Sequence, residues 1–208
     1  LTHPHADHVN GLVPILDRMK VKAVLLAGSE YESEAYAAFL KKISDKKIPV
    51  YIADDGRDFK LGETTVDVLF PFENIGETDN VNNASIVMKI TNGEDSILLS
   101  GDAEIEEESQ LLGLDLDADI LKAGHHGSRT SSTTEFLSEV SPEIMIISSG
   151  EGNDYGHPHS ETLEKAEDFG IEVLRTDTLG NVSIIFDDQS WIRSIFAPSW
   201  RSFTSSSS

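Results

Sequence analysis

The stretch His3-Pro4-His5-Ala6-Asp7-His8 decides how this chain is read. Residues two apart in extended backbone project to the same side, so His3 and His5 can share one cation. Asp7 and His8 lie where the chain turns into a helix, and they can face a second, adjacent cation. The helix that follows has Leu12, Ile15, Leu16 and Met19 as its predicted buried stripe. All seven histidines fall into three tight clusters: this one, His125-His126, and His157-Pro158-His159. Histidines recruited for packing would not bunch in this way. Neutral imidazoles and a carboxylate alternating on a short loop point to metal capture, and through it to hydrolytic chemistry.

Composition narrows the chemistry further. The chain has 208 residues, 38% of them apolar, enough for one sizeable core. It contains no apolar run of about 18 residues that would span a bilayer, and no secretory signal. Cysteine is absent, so a metal site must be built from nitrogen and oxygen. Lys and Arg number 16 against 37 Asp and Glu, a formal net charge of −21. Such a surface repels polyanions and lacks the clustered cations that non-specific DNA binding uses. If the substrate is nucleic acid, attraction must come from bound metals, a few local cations or another domain. The same acidity would also serve solubility or a salt-rich habitat.

Along the chain, strands alternate with helices. Residues 21–26 read as a short buried strand, and Ser29 is placed to cap an amphipathic helix running to about Lys46, with Tyr36, Phe39, Leu40 and Ile43 inside. Strands are predicted at 50–53, 65–70, 84–90 and 96–99, the last two joined through Asn92-Gly93, a strong hairpin turn. A helix over 103–112 begins with Glu104, Glu106, Glu107 and Glu108 at its positive end. Strands at 119–123, 144–148 and 171–174 then alternate with helices at 132–140 and 160–169. Residues 182–186 and 191–196 pair as a closing hairpin, and 197–208 form a flexible, low-complexity tail behind one domain over 1–196.

Three further constellations sit where strands end. Leu98-Leu99-Ser100-Gly101-Asp102 delivers a carboxylate through a glycine that permits a tight turn; a helix cap is the plainer use of such an Asp. Ile120-Leu121-Lys122-Ala123-Gly124-His125-His126-Gly127-Ser128 empties a buried strand into a histidine pair flanked by glycines. Ser148-Ser149-Gly150-Glu151-Gly152-Asn153-Asp154-Tyr155-Gly156-His157-Pro158-His159 forms an open loop with Asn, Tyr and His donors for an anionic group. Layered α/β enzymes place catalytic groups at such positions.

The H-x-H-x-D-H pattern resembles that of the metallo-β-lactamase superfamily, which implies a layered α/β fold, an αββα sandwich with two adjacent metals on one edge. More narrowly, His3 to His8, Asn82-Asn83-Ala84-Ser85, Ser100-Gly101-Asp102, His125 to Ser128 and Tyr155-Gly156-His157-Pro158 resemble the C-terminal metallo-β-lactamase-like domain of ComEC-type competence proteins, over residues 1 to about 186. Those proteins are membrane-embedded DNA-uptake channels, and this domain is their proposed nuclease. The resemblance implies that His3, His5, Asp7 and His8 ligate two metals, that Asp102 bridges them, and that one histidine of the later pair completes the second site. His126 is assigned that role and His125 the substrate or leaving group, an order that the sequence leaves reversible. One departure matters: residues 79–85 hold no histidine where the superfamily completes its first metal. That site keeps His3, His5 and Asp102, helped by an Asn carbonyl or water, which makes Mn²⁺ a rival to Zn²⁺ and leaves one or two bound ions. The chain also opens on the first motif without a strand leading into it, so the domain is expected to lack its first strands.

The expected reaction is phosphodiester hydrolysis, with metals activating water, Asp7 orienting it, and His125 or His157 assisting the leaving oxygen. Lys122, Arg129, Ser128 and Asn153 are the candidate substrate contacts. The expected partner is single-stranded DNA presented by another domain of a membrane-embedded parent, on the extracytoplasmic side; outside a competence setting the chain would be soluble and cytoplasmic. Two alternatives use the same residues. One is hydrolysis of a small ester, a phosphocholine-type diester or a lactone, for which Trp191 and Trp200 are poorly placed as a choline cage. The other is a non-catalytic metal-binding domain.

Overall fold

The computed structural model describes residues 1–54, 57–73, 75–76 and 78–185, and the backbone of 192–196. Its largest element is a seven-stranded mixed sheet in the order β3 (Phe59–Leu61), β4 (Thr64–Phe70), β5 (Val87–Asn92), β6 (Asp95–Leu99), β7 (Ile120–Lys122), β8 (Ile144–Ile147), β9 (Glu172–Arg175). Strands β3 to β6 run antiparallel and β6 to β9 parallel. The near-continuous apolar runs of β7 and β8 suit strands covered on both faces. The expected hairpin at Asn92-Gly93 is present, with Asn92 opposite Asp95 and Gly93 at φ +66°.

On one face lie α4 (Ile105–Leu111), α5 (Thr134–Val140) and α6 (Ser160–Asp168). Leu111, Phe136, Leu137, Val140 and Ala166 pack there against Leu98, Leu121, Met145 and Ile147 in the main core. On the other face β1 (Val24–Leu26) and β2 (Val50–Ile52) form a parallel pair. Ala27 and Ala53, just past those two strands, meet Val68 and Met88 of the large sheet and Ile86 just before β5. Outside the pair lie α1 (Ala6–Val9), α2 (Leu12–Arg18) and α3 (Glu34–Asp45), sharing Val9, Leu16, Leu26, Tyr36, Phe39 and Ile43. Helices thus cover both outer faces, and the two sheets meet in the middle, the layered order that the motifs imply.

Several local expectations need correction. The first helix is assigned as two, α1 ending at Val9 and α2 running from Leu12 to Arg18; Leu16 is buried, Ile15 is exposed, and Met19 is exposed beyond the helix end in extended backbone. Ser33 rather than Ser29 caps α3, its hydroxyl accepting from the Tyr36 N–H at 3.1 Å. Leu40 lies outside the inner face of that helix. Ala84, expected to open the strand at 84–90, instead closes a 3₁₀ turn at Val81–Ala84, and the strand begins at Val87. Strand β3 and the short α7 (Thr176–Leu179) add to the expected elements. The closing hairpin pairs β10 (Asn181–Ile185) with β11 (Ile192–Phe196). Phe186, Trp191, Trp200 and the tail at 197–208 lie outside the described residues. Among the described residues no helix is long and apolar enough to cross a membrane.

Candidate metal centre

Strands β6, β7 and β8 end in the same direction, and the segments after them carry Asp102, the His125-His126 pair and the loop from Ser148 to His159. The first histidine cluster is brought alongside by backbone pairing, the Ile86 N–H donating to the Thr2 carbonyl at 3.1 Å. Gly124 lets two of these segments touch, since a Cβ there would lie 2.7 Å from the Ala103 carbonyl oxygen.

Four side chains converge. Asp7, His8, Asp102 and His126 each offer a ligand atom, all within 4.8 Å of one another. His8 Nε2 and His126 Nε2 are 3.2 Å apart, and Asp102 Oδ2 lies 3.2 Å from the first and 3.3 Å from the second. Asp7 Oδ2 is 3.3 Å from His126 Nε2. His3 and His5 sit beside this group: His3 Nε2 is 3.1 Å from His5 Nδ1 and 3.7 Å from Asp102 Oδ2. A divalent cation, which proteins of this fold typically bind, fits the donor set. Two imidazole nitrogens and two carboxylates face one point, and the other oxygen of Asp102, Oδ1, is buried without a hydrogen-bond partner.

The backbone is strained to achieve this. His125 (φ 43°, ψ 50°) and His126 (φ 56°, ψ 25°) are both left-handed, at about 1–2 kcal/mol per residue. Such strain persists only where surrounding structure over-determines it. His126 Nδ1 is held by the Ser148 carbonyl at 2.7 Å, and His125 Nδ1 by Glu104 Oε1 at 2.9 Å. Below them Ser85 Oγ accepts from the Asp102 N–H at 2.9 Å and touches His3 Nδ1 at 3.2 Å. Gly101, at φ +55°, passes so close that a Cβ would sit 2.9 Å from the Ser85 Cβ.

The electrostatics suit cation capture. Burial and the neighbouring His8 lower the His3 imidazole to about 3, so it is neutral and its lone pair available at pH 7. Burial lowers His5 as well. Burial alone would raise the Asp102 carboxyl, yet contacts with His126 and His8 and the Lys122 charge hold it well below the usual carboxylate range. The same contact raises His126. Burial and His125 lower His157 to about 4.

An open cavity of about 700 Å³ lies against this group, lined by His5, Asp7, Asp102, His125, His126, Asn153, Tyr155 and His157 among others. Of the sequence-derived substrate contacts, the cavity wall includes only Asn153. Its amide is committed to its own loop, donating to the Gly150 and His157 carbonyls at 2.9 and 2.6 Å. Lys122 turns its ammonium to the Gly101 and Ala123 carbonyls at 2.8 and 2.9 Å, and burial lowers its pKa. Arg129 pairs with Glu161 at 3.3 Å, and Ser128 bonds Thr130 at 2.9 Å. Sequence reasoning missed Ser85 and Glu104 as supports of the site; Ser85 stood in a quoted motif, but nothing local marked its partners.

The profile of the metallo-beta-lactamase superfamily matches residues 1–151. ComE operon protein 3 of Bacillus subtilis is 29% identical over 200 residues, 95% of this chain and 26% of that protein. Competence protein ComA of Neisseria gonorrhoeae is 38% identical over 116 residues, 53% of this chain and 17% of that protein. The chain therefore spans about a quarter or less of the length of these curated relatives. The expected likeness to competence-type domains is borne out. Among solved structures, the metallo-beta-lactamase fold protein YhfI from Bacillus subtilis superposes with a TM-score of 0.52 at 14% identity, over 84% of this chain and 72% of that one, a likeness of fold. The clustered His and Asp side chains, the layered sheets and the sequence match agree: the chain belongs to the metallo-β-lactamase superfamily.

Proposed function

We propose that this chain is a divalent-cation-dependent phosphodiesterase acting on DNA. The observation that carries the reading is the convergence of Asp7, His8, Asp102 and His126 beside an open cavity. These four would hold one cation. A second would take His3 and His5 with Asp102 in common. In the segment without a histidine, the amide oxygens of Asn82 and Asn83 are buried without hydrogen-bond partners, and one of them would complete this second set. An oxygen-richer set favours Mn²⁺ over Zn²⁺.

The bound cation supplies Lewis acidity toward a phosphoryl oxygen and toward water. The chain's own groups do the rest. Asp7, more exposed than Asp102, orients the attacking water toward phosphorus. His125 and His157, with ring centroids 5.4 Å apart, approach the leaving oxygen, and His125 supplies its proton. The competence setting of the relatives extends the proposal: single-stranded DNA is presented by another domain of a membrane-embedded parent, on its extracytoplasmic side.

One observation favours a second reading. Among the described residues no Lys or Arg lines the cavity, and the chain carries −21 charge, which suits a small ester better than a polymer. The deciding experiment strips the protein with chelator and reloads it with Mn²⁺ or Zn²⁺. It is then offered a single-stranded oligonucleotide, a dinucleotide, a phosphocholine diester and a lactone. Metal-dependent cleavage of the first two supports the DNA reading, and turnover of the last two alone transfers the assignment to small esters. A folded, metal-loaded protein inert on all four is a non-catalytic metal-binding domain.

A further inference from the structure

We propose that Glu104 is a positioning residue that fixes the His125 ring so that its Nε2 meets the oxygen leaving phosphorus, an inference that rests on the phosphodiesterase reading above. Glu104 stands at the entry to α4, where its own N–H donates to the Glu107 carboxylate at 3.0 Å. An acid at a helix start needs no partner beyond the helix. This one has three, from two separate segments: Asn80 before the 3₁₀ turn, and His125 and Thr130 on the connection from β7 to α5. Oε1 accepts from His125 Nδ1 at 2.9 Å and from the Thr130 hydroxyl at 2.7 Å, and Oε2 accepts from the Asn80 amide at 3.0 Å. Only 14% of its side chain is exposed.

The consequence falls on His125. A carboxylate is an acceptor alone, so the proton of the neutral ring lies on Nδ1. Nε2 is the nitrogen left for the cavity, whose wall includes this ring. The left-handed backbone of His125 serves the same placement, since an unconstrained loop would relax it. Asn80 and Thr130 fix the carboxylate in turn, so the ring is held at second hand by the segment that lacks the superfamily histidine. A carboxylate that orients an imidazole in this way keeps it aligned with the reacting bond. In the step served, the oxygen of water bonds to phosphorus. The bond from phosphorus to the leaving oxygen breaks with its electron pair going to that oxygen, which takes a proton from Nε2 of the His125 imidazolium and leaves the neutral ring with its remaining proton on Nδ1, against Glu104. The proton lost by water passes to solvent, from which His125 is recharged.

The test compares two substrates of the metal-loaded protein. A dinucleotide leaves as an alkoxide and needs the proton, whereas the p-nitrophenyl ester of thymidine 5′-phosphate leaves without it. Glu104→Gln should lower kcat on the dinucleotide about 10- to 100-fold with KM little changed, and lower kcat on the nitrophenyl ester less than about threefold. In a His125→Ala background Glu104→Gln should cost nothing further. Equal losses on both substrates, or additive losses in the double variant, would overturn the proposal. A second readout needs no turnover: nitrogen-15 spectra should show the neutral His125 ring protonated on Nδ1, with that signature weakened in Glu104→Gln. A ring protonated on Nε2 overturns the positioning whatever the activity. A wild-type protein inert on both substrates, with the Nδ1 signature intact, would defeat the phosphodiesterase reading and the leaving-oxygen role with it, while leaving the orienting contact demonstrated.

Discussion

His8 and His126 are 118 residues apart in sequence, yet their Nε2 atoms lie 3.2 Å from each other. Each ring has its other nitrogen near a protein oxygen: His8 Nδ1 is 3.4 Å from the Thr2 hydroxyl, and His126 Nδ1 is 2.7 Å from the Ser148 carbonyl. The Ser148 carbonyl can only accept, so it fixes the proton of a neutral His126 on Nδ1 and turns the Nε2 lone pair inward. Two inward-facing nitrogens with Asp102 between them repel unless a proton or a cation joins them. The Thr2 hydroxyl can donate or accept, so His8 Nε2 either carries a proton toward Asp102 and His126 or offers its lone pair, and a cation can take the place of that proton.

Cation binding should stabilise the fold. At a concentration about 100 times Kd the gain is roughly 2.7 kcal/mol. For a chain of this size that raises Tm by roughly 5–10 °C. Asp102→Ala should remove the response, because Asp102 contacts His8, His126 and His3 alike. Glu164→Gln, at an exposed acid on α6, should keep it. Differential scanning fluorimetry with added Mn²⁺ measures both; equal shifts in the two variants would remove Asp102 from the site.

Ser85→Ala should weaken cation binding about 10- to 100-fold, although the serine is no ligand. Its hydroxyl joins the Asp102 N–H to His3 Nδ1. Removing it leaves the Asp102 N–H unsatisfied inside the fold, at about 1–3 kcal/mol of stability. Calorimetric titration gives the affinity and urea denaturation the stability. Unchanged affinity in a destabilised variant would reduce Ser85 to a packing role.

The metal-capturing pattern was legible in the sequence because histidines and acids at strand ends serve few other purposes, and β7 and β8 announced themselves as continuous apolar runs. The supports were not legible. Ser85 reaches His3 across 82 residues and Glu104 reaches His125 across 21, so no local spacing marks either pair. Lys122, beside a histidine pair, reads as a phosphate contact; only the fold shows that its ammonium donates to the Gly101 and Ala123 carbonyls. Strand β3 escaped notice because Phe59-Lys60-Leu61 is an exposed edge without a buried face, and Met19 came out exposed because α2 ends at Arg18 and the backbone of Met19 is already extended.

Cation affinity should fall with acid at a higher pH than an ordinary histidine would set. Asp102 raises His126 above its usual 6.5 in the cation-free protein, and a cation must displace that proton to reach Nε2. A raised pKa means more proton competition. Affinity should therefore be full above the raised value and decline as pH falls through it, by about tenfold per unit for one displaced proton. His3, already lowered to about 3, should add nothing to this window. Titration calorimetry in buffers of different ionisation enthalpy counts the proton released; a flat affinity between about pH 6 and 8 would contradict the coupling.

The acidity of the chain makes an unusual salt dependence the sharpest test of a polymer substrate. Proteins that grip DNA through Lys and Arg lose affinity as salt rises, because counterion release weakens. Here, among the described residues, no Lys or Arg lines the cavity, and the net charge is −21, so the long-range term is repulsive. Raising ionic strength from about 0.01 M to about 0.15 M shortens the screening length from about 30 Å to about 8 Å. KM for a single-stranded oligonucleotide should then fall severalfold with kcat unchanged, provided the cation is kept saturating. KM for a dinucleotide, with little charge beyond the reacting phosphate, should barely move. Fusion to a basic oligonucleotide-binding domain should reverse the sign for the polymer, because counterion release would then dominate. A steep rise of KM with salt in the isolated chain would mean that cationic contacts already hold the strand, and would sink the idea that another domain must present it.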